Sequence, residues 1–356
     1  MVRALAPDVI FVSTESTTHA FEVAREIGKN GPGVQIIGLS RVCDPQILME
    51  AMRVGIQEFA ALPFDRVRLI EGLRRIEEVV RERRSAIECA SSVFSFIPAK
   101  AGVGTSTVAL NTALALSRSV EGKILLSDLD LSAGMVRFML RLENSYSMSD
   151  VAERSIELVE GLWPYMVTAF GSLDVLHSGK LNPEFDFAGA CVRQFMEFLR
   201  QRYGTLCFDM SGNFEGYSLE TIHESKRIFL VCTPEAPALH LAREKYNYLD
   251  DLDLDDRVSI IMNRWPKTPA VSLQEIEEQL GLPVFATLPN DYDGVQRAIA
   301  EGRSIEPTSN LGKQFTALAQ SILKNESNAW RTSEPLAAKG RKLSDLFSAA
   351  RLLLSE

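Results

Sequence analysis

The sequence predicts an α/β protein: a mainly parallel, doubly wound sheet over 92–325, preceded by a smaller α/β unit in 1–88. Three observations carry this. Short, near-continuous apolar runs such as "SVFSFIPAK" (92–100) alternate with helix-period segments, the pattern of strands buried on both faces. A small-residue, glycine-containing turn, "AKAGVGTST" (99–107), joins the first of these strands to an Ala/Leu-rich helix. Aspartates then gather where later strands end, at Asp128, Asp130 and Asp209.

Each element follows from pattern. In 1–88, "DVIFVST" (8–14), "VQIIGLS" (34–40) and "EFAAL" (58–62) read as strands, with helices over 19–29 and 44–54, the latter opening at Asp44-Pro45. A charged helix from Asp65 to Glu88 carries one apolar stripe (Val67, Leu69, Ile70, Leu73, Ile76, Val79 and Val80), and a domain boundary is expected near 85–92. Further strands are expected at 123–130, 173–179, 205–212, 227–235, 258–265 and 284–291. The composition turns polar after Lys324, predicting a linker over 326–342 and then a short amphipathic helix over 343–354.

Composition narrows the function. A length of 356 residues, 46% apolar and 24% charged, suits two ordinary globular cores. A net charge of −9 speaks against a chain whose task is coating DNA, and nucleic acid is not an expected partner. Five cysteines without a C-x-x-C pair and four histidines without ligand spacing argue against a zinc site or a disulfide framework, and fit a reducing cytoplasm. No signal peptide is expected, and no apolar run approaches the ~18 residues that span a bilayer.

The turn is the chemical centre. Gly102 and Gly104 let successive backbone N–H groups face inward, and the following helix N-terminus adds its dipole, making an anion nest. Ser106 stands where a nucleotide loop places its Mg²⁺-binding hydroxyl. Asp209, ending the apolar run "LCFDM", is placed to hold Mg²⁺ through water, although a strand-end aspartate also serves as a plain helix cap. Asn263 has the amide donor and acceptor needed to read an adenine edge.

With these residues in view, "PAKAGVGTSTVALNTALALS" resembles the deviant Walker A loop of the MinD/ParA ATPases, a P-loop NTPase family whose pattern is K-G-G-x-G-K-[ST]. The resemblance covers about 92–325 and includes the Asp128-x-Asp130 pair, Asp209, Asn263-Arg264 and "LPND" (288–291). It implies that ATP and Mg²⁺ bind on Lys100, Ala101, Gly102, Val103, Gly104, Thr105, Ser106 and Thr107. It also implies that Asp128, Asp209 and Ser106 serve the metal, and that Asp130 orients the attacking water. Asn263 and Arg264 would then meet the base, with Pro289 and Asp291 packed nearby. Lys100 would reach across a nucleotide-bound homodimer to the partner's nucleotide.

Four departures qualify the resemblance. Ala99 and Ala101 replace glycines, Thr105 stands where the phosphate lysine belongs, and "DMSGN" lacks a Pro-rich turn. A missing ammonium at the β/γ-phosphates costs more in the transition state than in binding. ATP binding with slow or absent turnover is therefore expected.

Residues 7–80 resemble a receiver domain of the flavodoxin-like class, and such a domain ahead of a MinD/ParA-type ATPase marks the TadZ/CpaE branch of pilus-assembly factors. Ser13 occupies the phosphoacceptor position, Ser40 the hydroxyl position, and Leu62 replaces the lysine before Pro63. The resemblance does not include a first strand, first helix and second strand, which implies either a shortened domain or a sequence that starts within it. With no acidic pair for Mg²⁺ and no acceptor carboxylate, a docking or dimerisation module is expected rather than a phosphorylated switch. The resemblances imply a cytoplasmic, dimer-forming localisation factor for a pilus or secretion machine, with 343–354 as a candidate peripheral membrane contact. The alternatives are an active partitioning or division-site ATPase and a response regulator with an ATPase output.

Overall fold

The computed structural model describes residues 9–30, 34–41, 44–61, 70–75, 91–154, 156–180, 187 and 189–332. The amphipathic segment 343–354 lies outside them, as do most of the charged helix at 65–88 and of the domain boundary. Of that helix, 70–75 is described and helical, and Leu73 packs against Ile37.

The first α/β unit is a three-stranded parallel sheet in sequential order: β1 (Val9–Ser13), β2 (Gln35–Ser40) and β3 (Glu58–Ala61). Helices α1 (Thr17–Asn30) and α2 (Pro45–Arg53) connect the strands. Alternation in α1 buries Ala20, Phe21, Ala24 and Ile27 in one cluster with Ile36 and Ile56.

The second sheet has eight strands. They are β4 (Ser92–Pro98), β5 (Ile124–Leu129), β6 (Thr168–Phe170), β7 (Leu173–Leu176), β8 (Thr205–Met210), β9 (Arg227–Cys232), β10 (Val258–Trp265) and β11 (Val284–Pro289), in the spatial order β11-β10-β9-β4-β8-β5-β7-β6. All neighbours pair in parallel except the β6–β7 edge hairpin. From β4 the chain crosses to β5 on one side of the sheet, and from β8 it crosses to β9 on the other. That reversal opens a crevice outside the carboxyl ends of β4 and β8, where ligands collect in open α/β sheets.

The helices in chain order are α3 (Thr105–Ser117), α4 (Val136–Leu140), α5 (Met148–Glu153), α6 (Ile156–Met166), α7 (Gly189–Arg200), α8 (Gly216–His223), α9 (Ala236–Asp250), α10 (Leu273–Leu280), α11 (Tyr292–Glu301) and α12 (Asn310–Thr332). Helix α3 is buried from Val108 to Ser117, so its apolar residues surround it instead of forming a stripe. Asn111 within it is buried, donating to the Thr107 carbonyl at 2.8 Å and accepting from Ile305 N at 3.0 Å.

Three expectations are corrected. The strands expected to run to 130, 179, 212, 235 and 291 end at Leu129, Leu176, Met210, Cys232 and Pro289, because their last residues turn into the loops of the crevice. The antiparallel strand β6 has no sequence signal, being three residues long and held by β7 alone. Helix α12 continues through the start of the expected linker to Thr332; no proline or glycine stops it before Pro335. Among the described residues, no helix is long and apolar enough to cross a membrane.

Aromatic stacking fills the sheet's centre. Phe229, fully buried, stacks on Phe96 at 5.0 Å and tilts against Phe94 at 6.0 Å and Phe285 at 5.8 Å. Phe229→Ala is expected to destabilise the chain by about 3–5 kcal/mol, read as a lower urea midpoint at unchanged slope.

Candidate functional site

The site is built from the turn leaving β4. Gly102 (φ 85°) and Gly104 (φ 92°) lie in the left-handed region, where a side chain is strained. Gly104 caps α3 with no side-chain bond, which leaves the N–H groups of the first helical turn, at Thr105, Ser106 and Thr107, for an anion. Nothing lies within 4 Å of where a Cβ would stand on Gly102. A Cβ on Gly104 would lie 2.6 Å from Asn263 Nδ2, so the asparagine packs on the bare glycine.

Asn263 is buried and donates from Nδ2 to the Val103 carbonyl at 2.8 Å. Through this bond it braces the turn. Arg264 is held at φ 53°, where β10 slips register against β11 between Met262 and Trp265. Its guanidinium stays on the Gly104 side and has no ion-pair partner among the described residues.

Thr105, at the lysine position, is buried, and its Oγ1 has no hydrogen-bond partner. Lys100 keeps its ammonium near the Ala101 carbonyl at 3.5 Å and forms no ion pair among the described residues. Ala101 is exposed beside it.

The acids close the other side. Asp128 and Asp209 are register partners on β5 and β8, and both are buried. The Ser106 hydroxyl lies near the Asp209 carboxylate and eases its charge, while Asp209 Oδ2 is buried without a partner. Burial first, then repulsion from Asp128, pushes the Asp209 carboxyl well above the usual carboxylate range. Burial, with repulsion from Asp130, pushes Asp128 up to about 7.

Asp128 is already engaged, accepting from Asp130 N at 3.1 Å, Val136 N at 3.1 Å and Ser178 Oγ at 3.3 Å. It organises the loop after β5. Gly134 fits there because a Cβ would collide with Ser178 and Asp128. Asp130 has left the strand and accepts from Ser132 Oγ and Ala133 N, both at 2.9 Å.

Two carboxyls raised chiefly by burial, with one oxygen unsatisfied and a serine hydroxyl nearby, fit a Mg²⁺ ion. Among the described residues, no group of three or more acidic, His or Cys side chains forms a cation cage. Mg²⁺ takes one or two protein oxygens and completes its shell with phosphate and water.

Two other expected residues have local structural roles. Asp291 caps α11, accepting from Gly294 N at 3.0 Å, and Pro289 ends β11 beside Trp265. Sequence reasoning missed Ser178 and Asn111, which brace Asp128 and α3, because single polar residues in loops and helices carry no spacing signal. It also missed Glu215, which accepts from Ser211 Oγ at 2.6 Å and Ser218 Oγ at 3.1 Å in the loop where a Pro-rich turn was lacking.

The geometry defines a P-loop nucleotide-binding fold. Within that class, the chain is similar to MinD and ParA proteins. The chain is 24% identical over 235 residues to the septum site-determining protein MinD of Thermotoga maritima, covering 63% of this chain and 84% of that protein. A ParA family ATPase from Chlorobium tepidum superposes with a TM-score of 0.60 at 24% identity, over 65% of this chain and 98% of that one. MinD of Pyrococcus horikoshii, solved in complex with Mg-ADP, superposes with a TM-score of 0.55 at 18% identity, over 67% and 98%. No family model matches the chain. The mainly parallel sheet thus has the MinD/ParA P-loop fold.

A carboxyl whose pKa rises on folding, from 3.8 to about 7 for Asp128, binds more protons in the fold than in the unfolded chain over that window. Without metal, the stability contributed at low pH is therefore lost as pH rises from about 4 to about 7. Asp209→Asn removes one such charge. It is expected to raise the thermal midpoint of the metal-free chain, more at pH 8 than at pH 5, while weakening Mg²⁺-dependent nucleotide binding; calorimetry at the two pH values checks it.

Proposed function

We propose that this chain is an ATP-binding localisation factor that dimerises on nucleotide and serves Flp/Tad-type pilus assembly or a related secretion machine, with weak or absent hydrolysis. The observation that carries the reading is Thr105. The glycines, the open first turn of α3 and the Asp209–Ser106 pair suit a Mg²⁺-nucleotide, as the Pyrococcus relative binds Mg-ADP. The lysine position, however, holds a buried threonine that offers the phosphates no cation. Binding without turnover is the behaviour of a switchable scaffold.

In this reading ATP supplies the γ-phosphate that holds two subunits together. The chain's own groups bind and orient it: the N–H groups of Thr105 to Thr107 take the phosphates, and Ser106 and Asp209 take the metal. Asp128 holds the loop that carries Asp130 toward the attacking water, and Lys100, with no carboxylate to hold it, is available to a partner's nucleotide. Asn263 and Arg264 would meet the base, with Pro289 and Asp291 nearby.

The first α/β unit supports the pilus reading. Its three parallel strands follow the order of a receiver's later strands, and exposed Ser13 ends β1 where an acceptor aspartate would stand. It serves as a docking or dimerisation module. The protein works in the cytoplasm or against the inner face of the cell membrane, through 343–354. A second reading, an active partitioning or division-site ATPase, is favoured by the likeness to MinD and ParA.

ATP with Mg²⁺ is expected to double the mass seen by light scattering, and an unchanged mass would count against the proposal. Thr105→Lys is expected to raise phosphate release about tenfold or more. Fast release by the unaltered chain would favour the second reading.

A further inference from the structure

The loop after Asp209 (211–215) has no proline to stiffen it, yet a lysine from a distant helix holds it. Lys245, on α9, sends its ammonium to the Gly212 carbonyl at 2.7 Å and the Pro98 carbonyl at 2.8 Å. Pro98 is the last residue of β4, two before Lys100. Gly212 lies three residues beyond Asp209. One ammonium therefore joins the two chain segments that carry the phosphate turn and the metal-side acid.

Gly212 is shaped for this contact. A Cβ there would lie 3.0 Å from Lys245 Nζ and 3.2 Å from the Pro98 ring, closer than side chains ordinarily approach. The Phe214 ring covers the ammonium, its centroid 5.3 Å away, and in turn packs on Tyr248, which follows Lys245 on α9. Burial lowers the lysine's pKa to about 8, against the nearby Glu215 carboxylate, which raises it. A lysine is not desolvated in this way for a solvated helix face.

We propose that Lys245 is a positioning residue for the nucleotide site: by pinning Gly212 to Pro98, it fixes Asp209 and the phosphate turn in one register before any ligand arrives. It replaces, by a tertiary clamp, the stiffness that a Pro-rich turn would supply locally. This rests on the reading of the crevice as a Mg²⁺-nucleotide site.

The test uses the full chain with Lys245→Met, Gly212→Ala, their double variant and Lys245→Arg. The first readout, amide hydrogen exchange across 211–214 without nucleotide, does not depend on that reading. Exchange is expected to rise about tenfold or more in Lys245→Met, as for a lost charge-assisted hydrogen bond, and to return toward the original in Lys245→Arg. Gly212→Ala presses on the same contact from the other side, so the double variant should show less than the sum of the single effects. The second readout is ATP affinity with and without Mg²⁺. The Mg²⁺-dependent gain should shrink about tenfold while affinity in chelator holds, a split that general destabilisation does not produce. Unchanged exchange in Lys245→Met, or fully additive effects, would overturn the clamp. An equal loss of affinity with and without Mg²⁺ would overturn its positioning role. Absence of nucleotide binding by the unaltered chain, with the exchange effect intact, would instead sink the nucleotide reading.

Discussion

Close approach of Asn263 to Gly104 is the constraint on which the site depends. The turn leaving β4 needs two left-handed residues to point its N–H groups inward, and it gains a brace only if a polar side chain reaches its backbone. Asn263 supplies that brace through the Val103 carbonyl, and the missing Cβ of Gly104 leaves room for it. Because Asn263 ends the regular part of β10, the phosphate turn is tied to a strand two places from its own. The strained backbone of Arg264 and the slipped β10–β11 register follow at the same point. Local strain of this kind persists only where the surroundings over-determine it.

The opposite wall is arranged around charge. Burial, and repulsion between neighbouring carboxylates, raises both pKa values, so the fold by itself favours protons there. Asp128 spends both oxygens on the loop after β5, which keeps that loop in place without metal. Asp209 keeps one oxygen unsatisfied, a cost of about 1–3 kcal/mol for a buried polar atom and more for a charged one. Stability has been given up at a carboxylate that a cation would relieve.

Much of the fold was legible because burial on both faces leaves a plain mark: β4, β5, β8, β9 and β10 are runs of apolar residues that no amphipathic helix would show. Strand ends were less legible, since "SGN" after Met210 or "TPE" after Cys232 suits a strand or a crevice loop equally well. The glycines of the turn and the strand-end acids were legible as a group. Their division of labour was not: Asp128 and Asp209 have the same strand-end signature, yet one organises a loop and the other faces the crevice. Asp291 shows the opposite outcome, its acid serving a helix cap.

By itself, the sequence determined the alternation of buried strands and helices, the glycine turn and the absence of a lysine at Thr105, because these depend on local periodicity, conformational freedom and residue identity. Only the tertiary structure decided that Asn263 braces the turn, that Asp128 and Asp209 lie side by side, and that Lys245 clamps the loop after Asp209. Each of those joins residues far apart in the chain. Such pairings are set by strand order and register, which hydrophobic pattern constrains only loosely, so a lone lysine on α9 carries no mark of the contact it makes.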